Sequence, residues 1–203
     1  MLKIHGTPKS RAFRCIWAAE EAGVPYELVP VSMGTGTKTP MHLKVNPNGK
    51  IPVMEDGDLV LFESLAINLH IAAKAGAPLS PAGDDMSRVL QWTLWAATEV
   101  EPSAGQWAYN TYIRPPEERD SGTAAAGAAG LIARFDVLEG QLAGRSHVVS
   151  ENFTIADCNL ASVLYGSWSN KFDYGGHPKV KAWLDRCFAR PAALAARKLR
   201  DAA

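Results

Sequence analysis

The sequence is short of cysteine and has no excess of either charge. Its 203 residues include only 3 cysteines, Cys15, Cys158 and Cys187, which form neither a C-x-x-C pair nor a metal-ligand cluster with the 5 histidines. A disulfide scaffold and a zinc site are therefore not expected. Lysine plus arginine and aspartate plus glutamate both number 21, so charge gives no reason to expect a nucleic acid or an anionic membrane as partner.

Long apolar runs are also missing. Residues 1–6 contain no apolar stretch of signal-peptide length, and the longest later one, 124–133, is too short and too rich in glycine to span a bilayer. We therefore expect a cytoplasmic protein without a membrane partner. Because 47% of the residues are apolar, the chain can still bury a sizeable core, as one large domain or two small ones.

The first thirty residues have the pattern of a strand-helix-strand unit. Alternation around Ile4 predicts a strand that ends at 6–8, and helical spacing after Ser10 predicts a helix that stops at Gly23. Residues 26–31 predict a second strand, which a right-handed crossover would place parallel to the first.

The next segment predicts an antiparallel hairpin and a third helix. Residues 34–40 are loop-like, and 51–55 and 59–62 flank Asp56-Gly57, a strong hairpin signal. The helix begins at Ser64 and is closed after Lys74 by glycine and proline. This part of the chain therefore predicts a small α/β domain.

The remainder has no strand pattern. We predict helices at 88–112, 123–142, 154–168, 178–189 and, briefly, after Pro191. The resulting division is an α/β domain at 1–78, a linker at 79–87 and an all-helical domain at 88–203.

Two segments of the α/β domain carry the most specific signal. They are Asn46-Pro47-Asn48-Gly49-Lys50-Ile51-Pro52-Val53 and, shortly after, Glu63-Ser64-Leu65-Ala66-Ile67. Together they closely resemble the glutathione-site pattern of the cytosolic glutathione transferases, in particular serine-type members of the theta-, phi- or delta-like bacterial kind. The resemblance implies an α/β thioredoxin-like N-terminal domain, an all-α helical C-terminal domain, glutathione as co-substrate, a homodimer and a role in detoxification.

The same resemblance assigns roles to the motif residues. A cis peptide before Pro52 would turn the backbone N–H and C=O of Ile51 toward glutathione, which then pairs as an added strand. Ser64, at a helix N-terminus, and Glu63 suit the carboxylate and ammonium of the γ-glutamyl group. The alternatives are an edge-strand proline and a serine that only caps its helix.

Ser10 matches the catalytic serine of the serine-type enzymes, and Arg14 resembles an arginine common in their first helix. The Ser10 hydroxyl would donate to the glutathione sulfur and favour the reactive thiolate. Thr7 is the substitute if the turn is one residue out of register, and a simple helix cap is the other interpretation. Cys15 lies too far inside the helix for a nucleophile, and we expect it to be buried and inert.

Other residues are implied more weakly. Lys38 and Lys50 stand where relatives hold the glycyl carboxylate, although both can equally be solvated lysines. The electrophile pocket of the family is usually lined from positions that correspond to Trp107, Tyr109, Tyr112 and Trp168, although aromatic residues at helical spacing are usually core. Thr154 and Asp157 predict a capping box that serves folding only.

We therefore expect glutathione thiolate to attack a small hydrophobic electrophile. The alternatives are a non-catalytic interaction module and another glutathione-dependent reaction, such as isomerisation, dehalogenation or peroxide reduction.

Overall fold

The computed structural model describes all residues, 1–203, and the chain divides into two compact units. The first contains 1–82 together with 189–203, and the second contains 83–188. The last helix, which was predicted to be short and to belong to the helical region, lies at Pro191–Ala202 in the unit that contains the sheet. Residues 83–87 of the predicted linker form the first turns of a helix.

The sheet of the first unit has four strands in the order β2-β1-β3-β4. The strands are β1 (Leu2–His5), β2 (Tyr26–Val29), β3 (Val53–Asp56) and β4 (Leu59–Phe62). β1 pairs in parallel with β2 and antiparallel with β3, which pairs antiparallel with β4. This mixed sheet, with its parallel pair and following hairpin, confirms the predicted thioredoxin-like topology.

The hairpin turn differs by one residue from the prediction. Asp56 pairs with Leu59, so the two turn residues are Gly57 and Asp58 rather than Asp56 and Gly57. Gly57 has φ +62°, and a positive φ at the first turn position is accessible to glycine without a steric penalty. Asp56 stays in the strand and accepts hydrogen bonds from His70 and Lys74.

Four helices complete the first unit. They are α1 (Ala12–Ala22), α2 (Pro40–Val45), α3 (Ser64–Ala75) and α10 (Pro191–Ala202). α1 packs against both α3 and α10, and Gly23 ends α1 in the left-handed conformation, as its position predicts. α2 was not predicted, although its start has a Thr39 cap that accepts from the His42 N–H.

The second unit is entirely helical. Its helices are α4 (Gly83–Trp95), α5 (Glu101–Ala108), α6 (Ser121–Gln141), α7 (Ile155–Val163), α8 (Tyr165–Ser169) and α9 (Pro178–Phe188). The single helix predicted at 88–112 is interrupted by π-helical turns at Ala96–Val100 and Tyr109–Ile113. α5 and α6 approach closely, because a Cβ on Gly127 would lie 2.5 Å from the Trp107 backbone nitrogen. None of the helices is both long and apolar enough to cross a bilayer.

Candidate active site

Ser10 lies in the loop between β1 and α1. Its hydroxyl donates to the Thr7 carbonyl at 2.7 Å, and its oxygen accepts from the Ala12 N–H at 3.1 Å. Ser10 therefore satisfies a backbone donor of the first turn of α1, as a cap does, although Arg11 occupies the N-cap position itself. The hydroxyl also stands at the end of α1 where the helix dipole is positive, which suits both interpretations of this residue.

The loop that carries Ser10 meets the segment before β3 at Gly6. A Cβ on Gly6, whose φ is +146°, would lie 3.4 Å from the Ser10 Oγ and 3.5 Å from the Ile51 Cβ. The Ile51–Pro52 peptide is cis, as predicted. The pairing of β1 with β3 ends at Val53, so the peptide groups of Ile51 lie outside the ladder.

The carbonyl next to Ile51 is held by two side chains of the α2 region. His42 Nε2 lies 2.9 Å from the Lys50 oxygen, and Asn46 Nδ2 donates to the same oxygen at 2.8 Å. His42 and Asn46 are both buried. Their joint contact orients the Lys50–Ile51 peptide, and His42 is a site-supporting residue that no local sequence signal indicated.

The start of α3 departs from the predicted cap. Glu63 occupies the N-cap position with φ 73°, a conformation that non-glycine residues rarely adopt, and Ser64 is the first helical residue. The Ser64 side chain is buried and accepts from Arg14 Nη1 at 3.3 Å. The structure thus joins Arg14 of α1 to Ser64, while the Glu63 side chain is exposed to solvent.

Lys38 and Lys50 both lie at the turn that precedes Ile51. A Cβ on Gly49, which has φ +60°, would lie 2.6 Å from Lys38 Nζ, so the Lys38 side chain lies over this turn. Both lysines are exposed. The turn therefore carries two cations at one end of the segment that contains Ile51.

The cysteines do not contribute a nucleophile. Cys15 is fully buried, as expected, and burial raises the pKa of its thiol above the ordinary range, with the nearby Arg14 charge acting in the opposite direction. All three cysteines are buried and unbridged. No group of three or more histidine, cysteine or acidic side chains is arranged to hold a metal ion.

The four aromatic residues predicted for an electrophile pocket fall into different surroundings within the second unit. Trp107 is buried and makes edge contacts with Tyr112 and Phe172, at centroid distances of 5.6 and 5.1 Å. Tyr109 is exposed, with the guanidinium of Arg114 5.9 Å from its ring centroid.

Trp168 belongs to a second aromatic group. It packs against Phe188 at 4.5 Å and donates through Nε1 to Asp185 at 2.8 Å. Of the four residues, the structure thus brings Trp107 and Tyr112 into mutual contact, and the role of the four in binding an electrophile stays a prediction.

The first unit alone therefore places a serine hydroxyl at a helix N-terminus, an unpaired stretch of backbone at Ile51, and charged side chains of both signs around it. Such a set suits a short peptide that carries a thiol, an ammonium and carboxylates. Fold and site together define a thioredoxin-like peptide-thiol binding unit with an attached helical unit.

Comparisons with known proteins agree with this class. Family models described as glutathione S-transferase, N-terminal domain and C-terminal domain match residues 2–73 and 100–191. Glutathione S-transferase 3 of Zea mays is 34% identical, over 94% of this chain and 90% of its own length. The chain belongs to the glutathione S-transferase family.

Two further similarities are informative. A theta class glutathione S-transferase from Xanthomonas axonopodis pv. citri, solved with glutathione bound, has a TM-score of 0.88 and 30% identity, with 96% of each chain covered. Elongation factor 1-gamma 2 of Oryza sativa subsp. japonica is 36% identical over 83% of this chain, which spans 43% of that relative. The chain is thus similar both to proteins named glutathione S-transferase and to part of a longer protein named otherwise.

Proposed function

We propose that this protein is a glutathione transferase that adds the thiolate of bound glutathione to a small hydrophobic electrophile. The observation that carries the proposal is the proximity of the Ser10 Oγ and Ile51 around Gly6, at the N-terminus of α1. A tripeptide paired with the Ile51 backbone would place its cysteinyl sulfur near the end of α1 that favours an anion.

The chemical step uses few protein groups. The glutathione thiol loses its proton to solvent, and the Ser10 hydroxyl rotates from the Thr7 carbonyl to donate to the sulfur anion. The thiolate then forms a C–S bond with the electrophilic carbon, and the displaced electron pair leaves with a leaving group or takes up a proton. A donor to the thiolate lowers the pKa of the thiol and so increases the reactive fraction near neutral pH.

Binding would use the remaining residues of the first unit. The Glu63 carboxylate accepts from the γ-glutamyl ammonium, and Ser64, which is held by Arg14, donates to the γ-glutamyl carboxylate. Ile51 and Pro52 align the peptide backbone, and Lys38 or Lys50 binds the glycyl carboxylate. The exposure of both lysines leaves their ammonium groups accessible to that carboxylate.

The decisive experiment is a glutathione titration followed by ultraviolet difference absorbance, which reports binding and thiolate formation together. Ser10→Ala should lower kcat and the thiolate signal roughly ten- to hundredfold, since a hydrogen bond to a charged group contributes about 1.5–3 kcal/mol. The KM for glutathione should change much less.

Thr7→Val is the matched control, because it removes the alternative hydroxyl and preserves side-chain shape. It should leave kcat and the thiolate signal close to the wild-type values. A loss with Thr7→Val and none with Ser10→Ala would transfer the role to Thr7. Equal losses of kcat and glutathione affinity in Ser10→Ala would reject the assignment.

A non-catalytic interaction module is the second candidate function. It is favoured by the similarity to a relative named Elongation factor 1-gamma 2, of which this chain spans 43%. Retention of glutathione by the wild-type protein without a thiolate signal would support it. The homodimer and the cytoplasmic location remain proposals derived from the family and from the sequence.

A further inference from the structure

Arginines at the two ends of the C-terminal helix α10 contact α1 and the loop before it. At its start, Arg190 donates through Nε and Nη2 to the two carboxylate oxygens of Glu21, both at 2.7 Å. The Glu21 side chain is 5% exposed and also accepts from Trp17 Nε1 at 2.9 Å. A bidentate pair of this kind fixes orientation as well as distance, so the helix is anchored against the C-terminal end of α1.

At the other end, Arg200 reaches the loop that carries Ser10. Its Nη1 donates to the Pro8 carbonyl at 3.0 Å, and its guanidinium carbon lies 5.7 Å from the centroid of the Phe13 ring. Arg200 thus contacts the loop two residues before Ser10 and helix α1 three residues after it.

The Pro8 carbonyl is next to the group that orients the Ser10 hydroxyl. The preceding carbonyl, that of Thr7, accepts both the Ser10 hydroxyl and the Ser10 N–H, at 2.7 and 2.9 Å. The Pro8 carbonyl belongs to the peptide between Pro8 and Lys9, which lies within the short link from Thr7 to Ser10. A rotation of that peptide would change the position of Ser10 relative to Thr7, and the hydrogen bond from Arg200 opposes it.

We propose that Arg200 is a positioning residue, which holds the loop at residues 7–10 so that the Ser10 hydroxyl faces the sulfur of bound glutathione. The inference rests on the proposed function. Arg200 also brings a cation to the N-terminal end of α1, where positive potential favours an anion. The chain terminus thus contributes to a site built mostly from the first residues.

The test compares Arg200→Met, which keeps an apolar stem but removes the donors and the charge, with Arg200→Lys, which keeps the charge and one donor group. Lys198→Ala, an exposed residue of the same helix, is the control. Each variant is titrated with glutathione across pH by ultraviolet difference absorbance, and kcat, KM and thermal midpoint are measured in parallel.

Arg200→Met should raise the pKa of the bound glutathione thiol by roughly half a unit to one unit, which lowers the thiolate fraction about three- to tenfold below that pKa. The KM for glutathione should stay within about twofold. Arg200→Lys should show a smaller rise, and Lys198→Ala none. A role in stability alone would lower the thermal midpoint and leave the thiol pKa unchanged.

Two failures are distinguishable. If the wild-type protein gives no thiolate signal, the proposed function is wrong. If the wild-type protein gives the signal and the pKa of the glutathione thiol bound to Arg200→Met equals that in the wild type, the positioning role is wrong. Should Arg200→Met not fold, Arg200→Lys decides the question, and an unchanged thiol pKa in that variant overturns the proposal.

Discussion

Asp157 offers the sharpest test of what holds the second unit together. The predicted capping box is present, with the Asp157 carboxylate accepting from the Thr154 N–H at 3.0 Å. The structure adds three donors that sequence did not indicate. They are the Val148 N–H and the Trp183 indole N–H, both at 3.0 Å from Oδ1, and the Thr154 hydroxyl at 3.2 Å from Oδ2. One fully buried carboxylate therefore joins the loop before α7, the start of α7 and helix α9.

The magnitude follows from the number of donors left without an acceptor. Asp157→Ala strands three buried N–H groups, and each unsatisfied buried donor costs about 1–3 kcal/mol. Burial also raises the pKa of Asp157, while the N–H donors act in the opposite direction, so removing the carboxylate recovers part of a desolvation cost. We expect a net loss of about 4 kcal/mol, well above the ~1 kcal/mol of an ordinary cap.

The assay is urea unfolding followed by tryptophan fluorescence. Asp157→Asn should lower the free energy of unfolding by about 2–4 kcal/mol. Its amide NH2 group replaces one of the two carboxylate oxygens, so that N–H donors face a donor there instead of an acceptor. Asp84→Asn, an exposed change in α4, should stay within about 0.5 kcal/mol of the wild type. A loss below about 1 kcal/mol for Asp157→Ala would show that the three N–H groups find other acceptors, and would refute the reasoning.

Two further predictions concern close packing and the site. Gly127→Ala should lower the free energy of unfolding by about 2 kcal/mol or more in the same assay, since the added Cβ would lie 2.5 Å from the Trp107 backbone nitrogen. Gly140→Ala, in the same helix with open space around it, should instead stabilise by about 0.5–1 kcal/mol. His42→Phe should raise the KM for glutathione about fivefold with little change in kcat, because the Lys50 carbonyl loses one of two donors. Steady-state kinetics with unchanged KM would contradict that role.

Sequence pattern predicted the elements that are regular and well bounded. The strand-helix-strand unit, the hairpin of β3 and β4, the stop of α1 at Gly23 and the capping box at Thr154 follow from short-range periodicity and backbone preferences, whereas the thioredoxin-like topology was implied by the family resemblance. Helix α2 was not predicted, because it has only six residues and only His42 is buried. The segment therefore has no apolar periodicity. The π-helical turns at Ala96–Val100 and Tyr109–Ile113 were also missed, since no signal in the local sequence indicated an interruption of the helix.

Local sequence was sufficient for the residue at which α3 begins, because helix starts and turns are set largely by neighbouring residues, and the resemblance of the motif around Pro52 was sufficient for the family to which the chain belongs. Tertiary structure alone decided which distant groups meet. Arg14 and Ser64 are 50 positions apart, and Arg200 and Pro8 are 192 apart. Contacts of that span arise from how helices pack on the sheet, and no periodicity in a single segment specifies them.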